Sequence, residues 1–130
     1  MKTLTQHEET LGKAIVNIAF QLHKSLGPGL LEKVYETCFC YELSKHNLPF
    51  VTQKKVHIVY DELEFAEGLR LDILVDDLVI IELKAQENYH PVWEAQLLSY
   101  LKLTNKNFRF HHQFYSSTNK RRHKTHGTLT

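Results

Sequence analysis

The chain has 130 residues, 42% hydrophobic and 24% charged, enough for one domain with a buried core and ordinary for a soluble globular fold. It has no apolar run long enough to cross a bilayer and no leader pattern, so the sequence predicts neither a membrane span nor export and points to the cytoplasm. The net charge of +1 averages two unlike parts: residues 1–106 hold 11 Lys/Arg against 15 Asp/Glu, a balance of −4, whereas residues 107–130 hold 5 and none, +5.

Thr5-Gln6-His7-Glu8 has the form of a capping box, in which the threonine hydroxyl and the glutamate carboxylate satisfy free backbone N–H groups. Leu4, Leu11, Ile15, Ile18 and Leu22 follow at helical spacing and predict a first helix to about Ser25, stopped by Gly27-Pro28-Gly29. A second helix is predicted from Leu30 to His46, with Asn47 and Pro49 ending it. Leu31, Val34, Cys38 and Tyr41 form its apolar stripe, and Glu32, Tyr35, Glu36 and Phe39 share an adjacent face. By spacing alone Glu32 is more readily a solvated helix glutamate than a ligand. Cys38 and Cys40 point in different directions on a helix and read as two reduced thiols rather than a zinc or disulfide pair.

From Phe50 to Tyr60 the pattern changes to a strand, with Asp61-Glu62 as a turn. Residues 69–84 then form two β-type runs joined at Asp76-Asp77. Ala85 to His90 reads as a loop, and Pro91 suits the first turn of a third helix carrying Val92, Ala95, Leu98 and Leu101 to about Asn105. Gln96 and Tyr100 sit four apart on one face of it. The order helix, helix, strand, strand, strand, helix indicates an α+β or mixed α/β sheet domain.

The 69–84 stretch places Asp72, Glu82 and Lys84 among core-type residues. Along its second run Val79, Ile81 and Leu83 point one way while Ile80, Glu82 and Lys84 point the other. Burying charge is costly unless it is paired or coordinates a metal. This set suits a divalent-metal phosphodiesterase. Mg²⁺ takes oxygen ligands, which Asp72 and Glu82 can supply with the Leu83 carbonyl as a third. Lys84 can orient or deprotonate the attacking water, or neutralise charge on the phosphate, and Gln96 can hold Lys84 or a phosphate. A surface ion pair between Glu82 and Lys84 fits the same spacing.

Gly29-Leu30-Leu31-Glu32-Lys33-Val34-Tyr35 resembles the motif of the GxxExxY proteins. Arg70-Leu71-Asp72, Ile80-Ile81-Glu82-Leu83-Lys84 and Gln96-Leu97-Leu98-Ser99-Tyr100 look like the D, ExK and QxxxY elements of RecB-type members of the PD-(D/E)XK nuclease superfamily. Leu71 stands where proline is usual, a change the superfamily tolerates. The resemblance runs from about residue 8 to 105 and implies a restriction-endonuclease-like core, a central mixed sheet flanked by helices. It also implies Glu32, Asp72 and Glu82 as metal ligands, Lys84 as the catalytic lysine with Gln96 beside it, and Tyr35, Arg70 and Tyr100 in support. The implied activity is Mg²⁺- or Mn²⁺-dependent cleavage of nucleic acid, DNA foremost. An inactive member that keeps the fold and binds nucleic acid or a protein partner is the alternative, and the oligomeric state stays open, a homodimer included.

The resemblance assigns residues 1–106 to the nuclease-like domain and leaves 107–130 as an atypical basic tail. In place of the family's last core strand, of the type Gly-Phe-Leu-Ile-Asn-Phe, the chain reads NFRFHHQFYSSTNKRRHKTHGTLT. Codons permitted for Lys106–Thr130, read one nucleotide later, can encode KTSGFIINFIVPLIKEGIKRMVL and then a stop. The tail is therefore expected to be a frameshift product: the last core strand missing or altered, a makeshift strand at Phe108–Phe114, and disorder beyond about Ser116. Phosphate gripping by its basic and aromatic residues, or metal binding by His111, His112, His123 and His126, is the competing reading.

Overall fold

The structure, a computed structural model, describes residues 5–27 and 29–83, the helical residues Val92 and Ala95, and the backbone of 108–115 and 122–129. Two helices, α1 (Gln6–Leu26) and α2 (Glu32–Lys45), precede three strands, β1 (Phe50–Tyr60), β2 (Leu63–Val75) and β3 (Val79–Ile81). The expected capping box forms. Glu8 N–H donates to Thr5 Oγ1 at 3.1 Å, and Thr5 N–H donates to Glu8 Oε1 at 2.9 Å. At the other end of α1 Gly27 adopts φ 68°, a left-handed conformation that a glycine accepts without strain.

β1, β2 and β3 form one antiparallel sheet in that order. The β2–β3 reversal falls at Asp76 and Asp77, both at positive φ as a tight hairpin turn requires. Asp76 also anchors the turn: its N–H donates to the Pro49 carbonyl at 2.8 Å and its carboxylate meets His7 Nε2 of α1. The main core lies between the helices and one sheet face. Leu11, Ile15, Ile18 and Leu22 of α1 and Tyr35, Phe39 and Leu43 of α2 pack on Ile73, Val75, Val79, Ile81 and Leu83. A smaller cluster of Leu71, Leu74 and Ile80 packs with Val56 and Leu69. The alternation expected along Val79–Leu83 is thus realised, with Ile80 in one cluster and its neighbours in the other.

On α2 the expected apolar stripe lies mostly on the outer face, although Cys38 packs against the core. Leu31 is 77% exposed, Tyr41 64% and Val34 38%, while Tyr35, Glu36, Phe39, Glu42 and Leu43 are buried. The reason is volume: Tyr35 and Phe39 have no solvent exposure to speak of and fill the space above the sheet that a smaller residue such as Val34 would leave void.

In the tail, β4 (Phe108–Tyr115) pairs antiparallel with β5 (Arg122–Leu129) as a separate two-stranded sheet. Where the sequence predicts disorder after Ser116, the structure pairs Arg122–Leu129 with the preceding strand. β4 runs close to β3 and α1 but shares no ladder with the three-stranded sheet among the described residues. Among the described residues the fold is mixed α/β, with helices α1 and α2 on a three-stranded antiparallel sheet. No described helix is long and apolar enough to cross a membrane. The third helix, apart from Val92 and Ala95, lies outside the described residues.

Candidate active site

β2 and β3 stay paired only as far as Ile73 opposite Ile81. The next positions on the two strands are Asp72 and Glu82, and there side chains replace the ladder. Leu83 N–H donates to Asp72 Oδ2 at 3.1 Å, and Asp72 N–H reaches Glu82 Oε1 at 3.4 Å. Each acid thus fastens to the main chain of the other's strand, and both carboxylates are held in the fork where the strands part. Glu82 is 3% exposed and Asp72 half-buried.

Carboxylates withdrawn from water are costly unless they are partnered, and both have partners here. The donor chemistry fits a hard divalent ion: two carboxylates, with the main-chain carbonyl of the buried Leu83 next to Glu82. Among the described residues no group of three or more His, Cys, Asp and Glu side chains forms a metal cradle. Glu32, the first residue of α2, is exposed and does not complete a third carboxylate of the set.

The other expected site residues are placed as follows. Arg70 is exposed on β2 and pairs in register with Lys55 of β1. Tyr35 is fully buried and its hydroxyl clasps the α1–α2 turn, donating to the Gly27 carbonyl at 2.6 Å and accepting the Leu30 N–H at 3.2 Å. It thereby ties the end of α1 at Gly27 to Leu30, just ahead of α2. Lys84, Gln96 and Tyr100 lie outside the described residues. A shallow cavity of about 270 Å³ lies elsewhere, at the hairpin-turn end, lined by Pro49, Phe50, Val51, Lys54, Leu74, Asp76 and Asp77. It includes neither carboxylate, and the chemistry of the pair outweighs its size.

Sequence reasoning did not single out Glu36 and Gln53. Glu36 is 8% exposed, one helical turn beyond Glu32, and accepts a hydrogen bond from Gln53 Nε2 at 2.8 Å. The signal was its place on one helix face with Tyr35 and Phe39. Nearby, burial and then the Glu36 carboxylate push the Cys40 thiol up to about 11, with Lys33 opposing. Both cysteines are free thiols.

A sequence model of the PD-(D/E)XK nuclease superfamily matches residues 9–124. The chain belongs to this superfamily. The match runs from α1 through the carboxylate fork into the tail, so in this PD-(D/E)XK protein Asp72 and Glu82 fall inside the matched region together with α2 and most of α1. No curated protein and no solved structure matches it.

Proposed function

We propose that this PD-(D/E)XK protein is a Mg²⁺- or Mn²⁺-dependent nuclease that hydrolyses phosphodiester bonds of DNA, and that within the superfamily it stands with the GxxExxY proteins. The observation that carries this is the reciprocal fastening of Asp72 and Glu82 across the open end of the β2–β3 ladder. Asp72, Glu82 and the Leu83 carbonyl would hold the ion. Bound there, it supplies Lewis-acid polarisation of the scissile phosphate. Lys84, two residues past Glu82 in sequence, takes the proton of the attacking water or offsets charge growing on the phosphate. The water oxygen forms the new bond to phosphorus, and the departing sugar oxygen leaves with a proton.

A cleavage assay with and without Mg²⁺, run on the full chain and on Asp72→Ala, Glu82→Ala and Lys84→Ala, tests this. Metal-dependent activity lost in all three supports the assignment; activity that survives all three removes it. The non-catalytic reading draws support from the exposure of Glu32 and the −4 balance of residues 1–106, which gives little general attraction for a polyanion. Metal-independent binding without cleavage would favour it. We also attribute residues 107–130 to a shifted reading frame that impairs the nuclease. A coding sequence whose next frame does not encode GFIINF ends that attribution.

A further inference from the structure

Gln53 lies inside a strand and yet has φ 52°. The other described non-glycine residues with positive φ, Asn47, Asp61, Asp76 and Asp77, all sit at turns, where that conformation is common. A glutamine in mid-strand gains nothing from it locally, so something outside the strand must hold it there.

The position is informative. Thr52 pairs with Ile73 and Lys54 with Leu71 in one unbroken register, which sets Gln53 directly opposite Asp72. Were Gln53 extended, its side chain would stand beside that of Asp72, because directly opposed residues in an antiparallel pair have neighbouring Cβ atoms. The Gln53 amide would then reach the Asp72 carboxylate and occupy an acceptor oxygen needed for a metal. Instead the backbone twist sends the side chain to α2, where Nε2 donates to Glu36 Oε1 at 2.8 Å. Glu36 is itself buried, and its Oε2 lies 3.6 Å from Lys33 Nζ.

We infer that Glu36 and Gln53 form a latch that holds the Gln53 amide away from Asp72, so that it does not compete with a divalent cation for the carboxylate pair. Both are positioning residues: neither touches the ion. The latch rests on the metal-site reading for its purpose, but its geometry can be tested separately.

The experiment measures Mn²⁺ binding to the full chain by electron paramagnetic resonance, together with the Gln53 backbone HN–Hα coupling by NMR. Glu36→Ala releases the latch and is expected to weaken Mn²⁺ binding about tenfold, the scale usual for groups that orient metal ligands. Gln53→Gly, with no side chain to swing inward and no penalty for positive φ, binds as the wild type does. The double variant Glu36→Ala/Gln53→Gly recovers wild-type affinity, which a merely structural role for Glu36 would not produce. Glu36→Gln keeps an acceptor oxygen and binds normally. Should Glu36→Ala fail to fold, Glu36→Leu fills the same space without an acceptor and serves in its place.

A double variant as weak as Glu36→Ala overturns the latch, as does a Glu36→Gln protein as weak as Glu36→Ala. If the wild type shows no Mn²⁺ binding that Asp72→Ala and Glu82→Ala abolish, the metal-site reading fails instead. The latch is then judged by the coupling: a shift of Gln53 to the extended-strand value in Glu36→Ala supports it, and an unchanged value overturns it.

Discussion

The two ends of the β1–β2 hairpin carry similar charges and put them to different uses. At the β3 end, Asp72 and Glu82 lie in the fork between strands, buried or half-buried and bound to main-chain N–H groups. At the free end, Lys55 pairs with Glu67 at 2.5 Å and His57 lies 3.8 Å from Glu64, with every partner more than half exposed. Water screens the second set far more than the first, so the same residue types are fixed to the main chain at one end and form a solvated face at the other. Apolar residues divide the same way. Phe39 is fully buried against the sheet, whereas Tyr60 at the hairpin tip is 73% exposed. Burial, more than residue type, separates the two regions.

The sharpest way to break this comparison is to neutralise one charge at each end. Asp72→Asn keeps an acceptor for the Leu83 N–H and, on the nuclease reading proposed above, is expected to cost about 10²–10³-fold in cleavage rate. Glu67→Gln should leave the rate unchanged. Equal losses in the two assays would erase the distinction.

Packing gives the next largest contrast. Phe39→Ala should destabilise by about 3–5 kcal/mol in urea unfolding, while Tyr60→Ala should stay within about 0.5 kcal/mol. A large loss at Tyr60 would mean that the hairpin tip is covered in solution. Tyr35→Phe removes a hydroxyl with two backbone partners and should cost about 1–3 kcal/mol, since the part-buried Leu30 N–H and the buried Gly27 C=O lose it together.

Smaller still is the effect of Cys40. Its folded-state pKa of about 11 lies above the ordinary 9.0, so the folded state keeps its proton where the unfolded chain has lost it. The contribution is complete below about pH 9 and declines as pH rises toward 11. Stability measured across that window should fall in the wild type and fall less in Cys40→Ala, by a modest amount because the thiol is only half-buried. The smallest effect belongs to Lys55→Ala at the exposed end, about 0–1 kcal/mol and gone in high salt.

What the amino-acid order determined by itself is what a few consecutive residues can settle among themselves. The Thr5–Glu8 box, the β1 limits at Phe50 and Tyr60, the reversal at Asp76-Asp77 and the alternation through Val79–Leu83 all depend on interactions within a turn or along one strand, and all appear as the chain order implies. The ordered D, E and Q motifs placed Asp72 and Glu82 as partners before their contact was seen. Tertiary structure alone decided which side of α2 is buried, because that depends on the shape of a sheet contributed by residues far along the chain. It also decided the inward turn of Gln53, which no local preference favours and which exists because Glu36, on another element, is there to receive it. Contacts between distant segments are selected by the packing of the whole, and short stretches of sequence do not encode them.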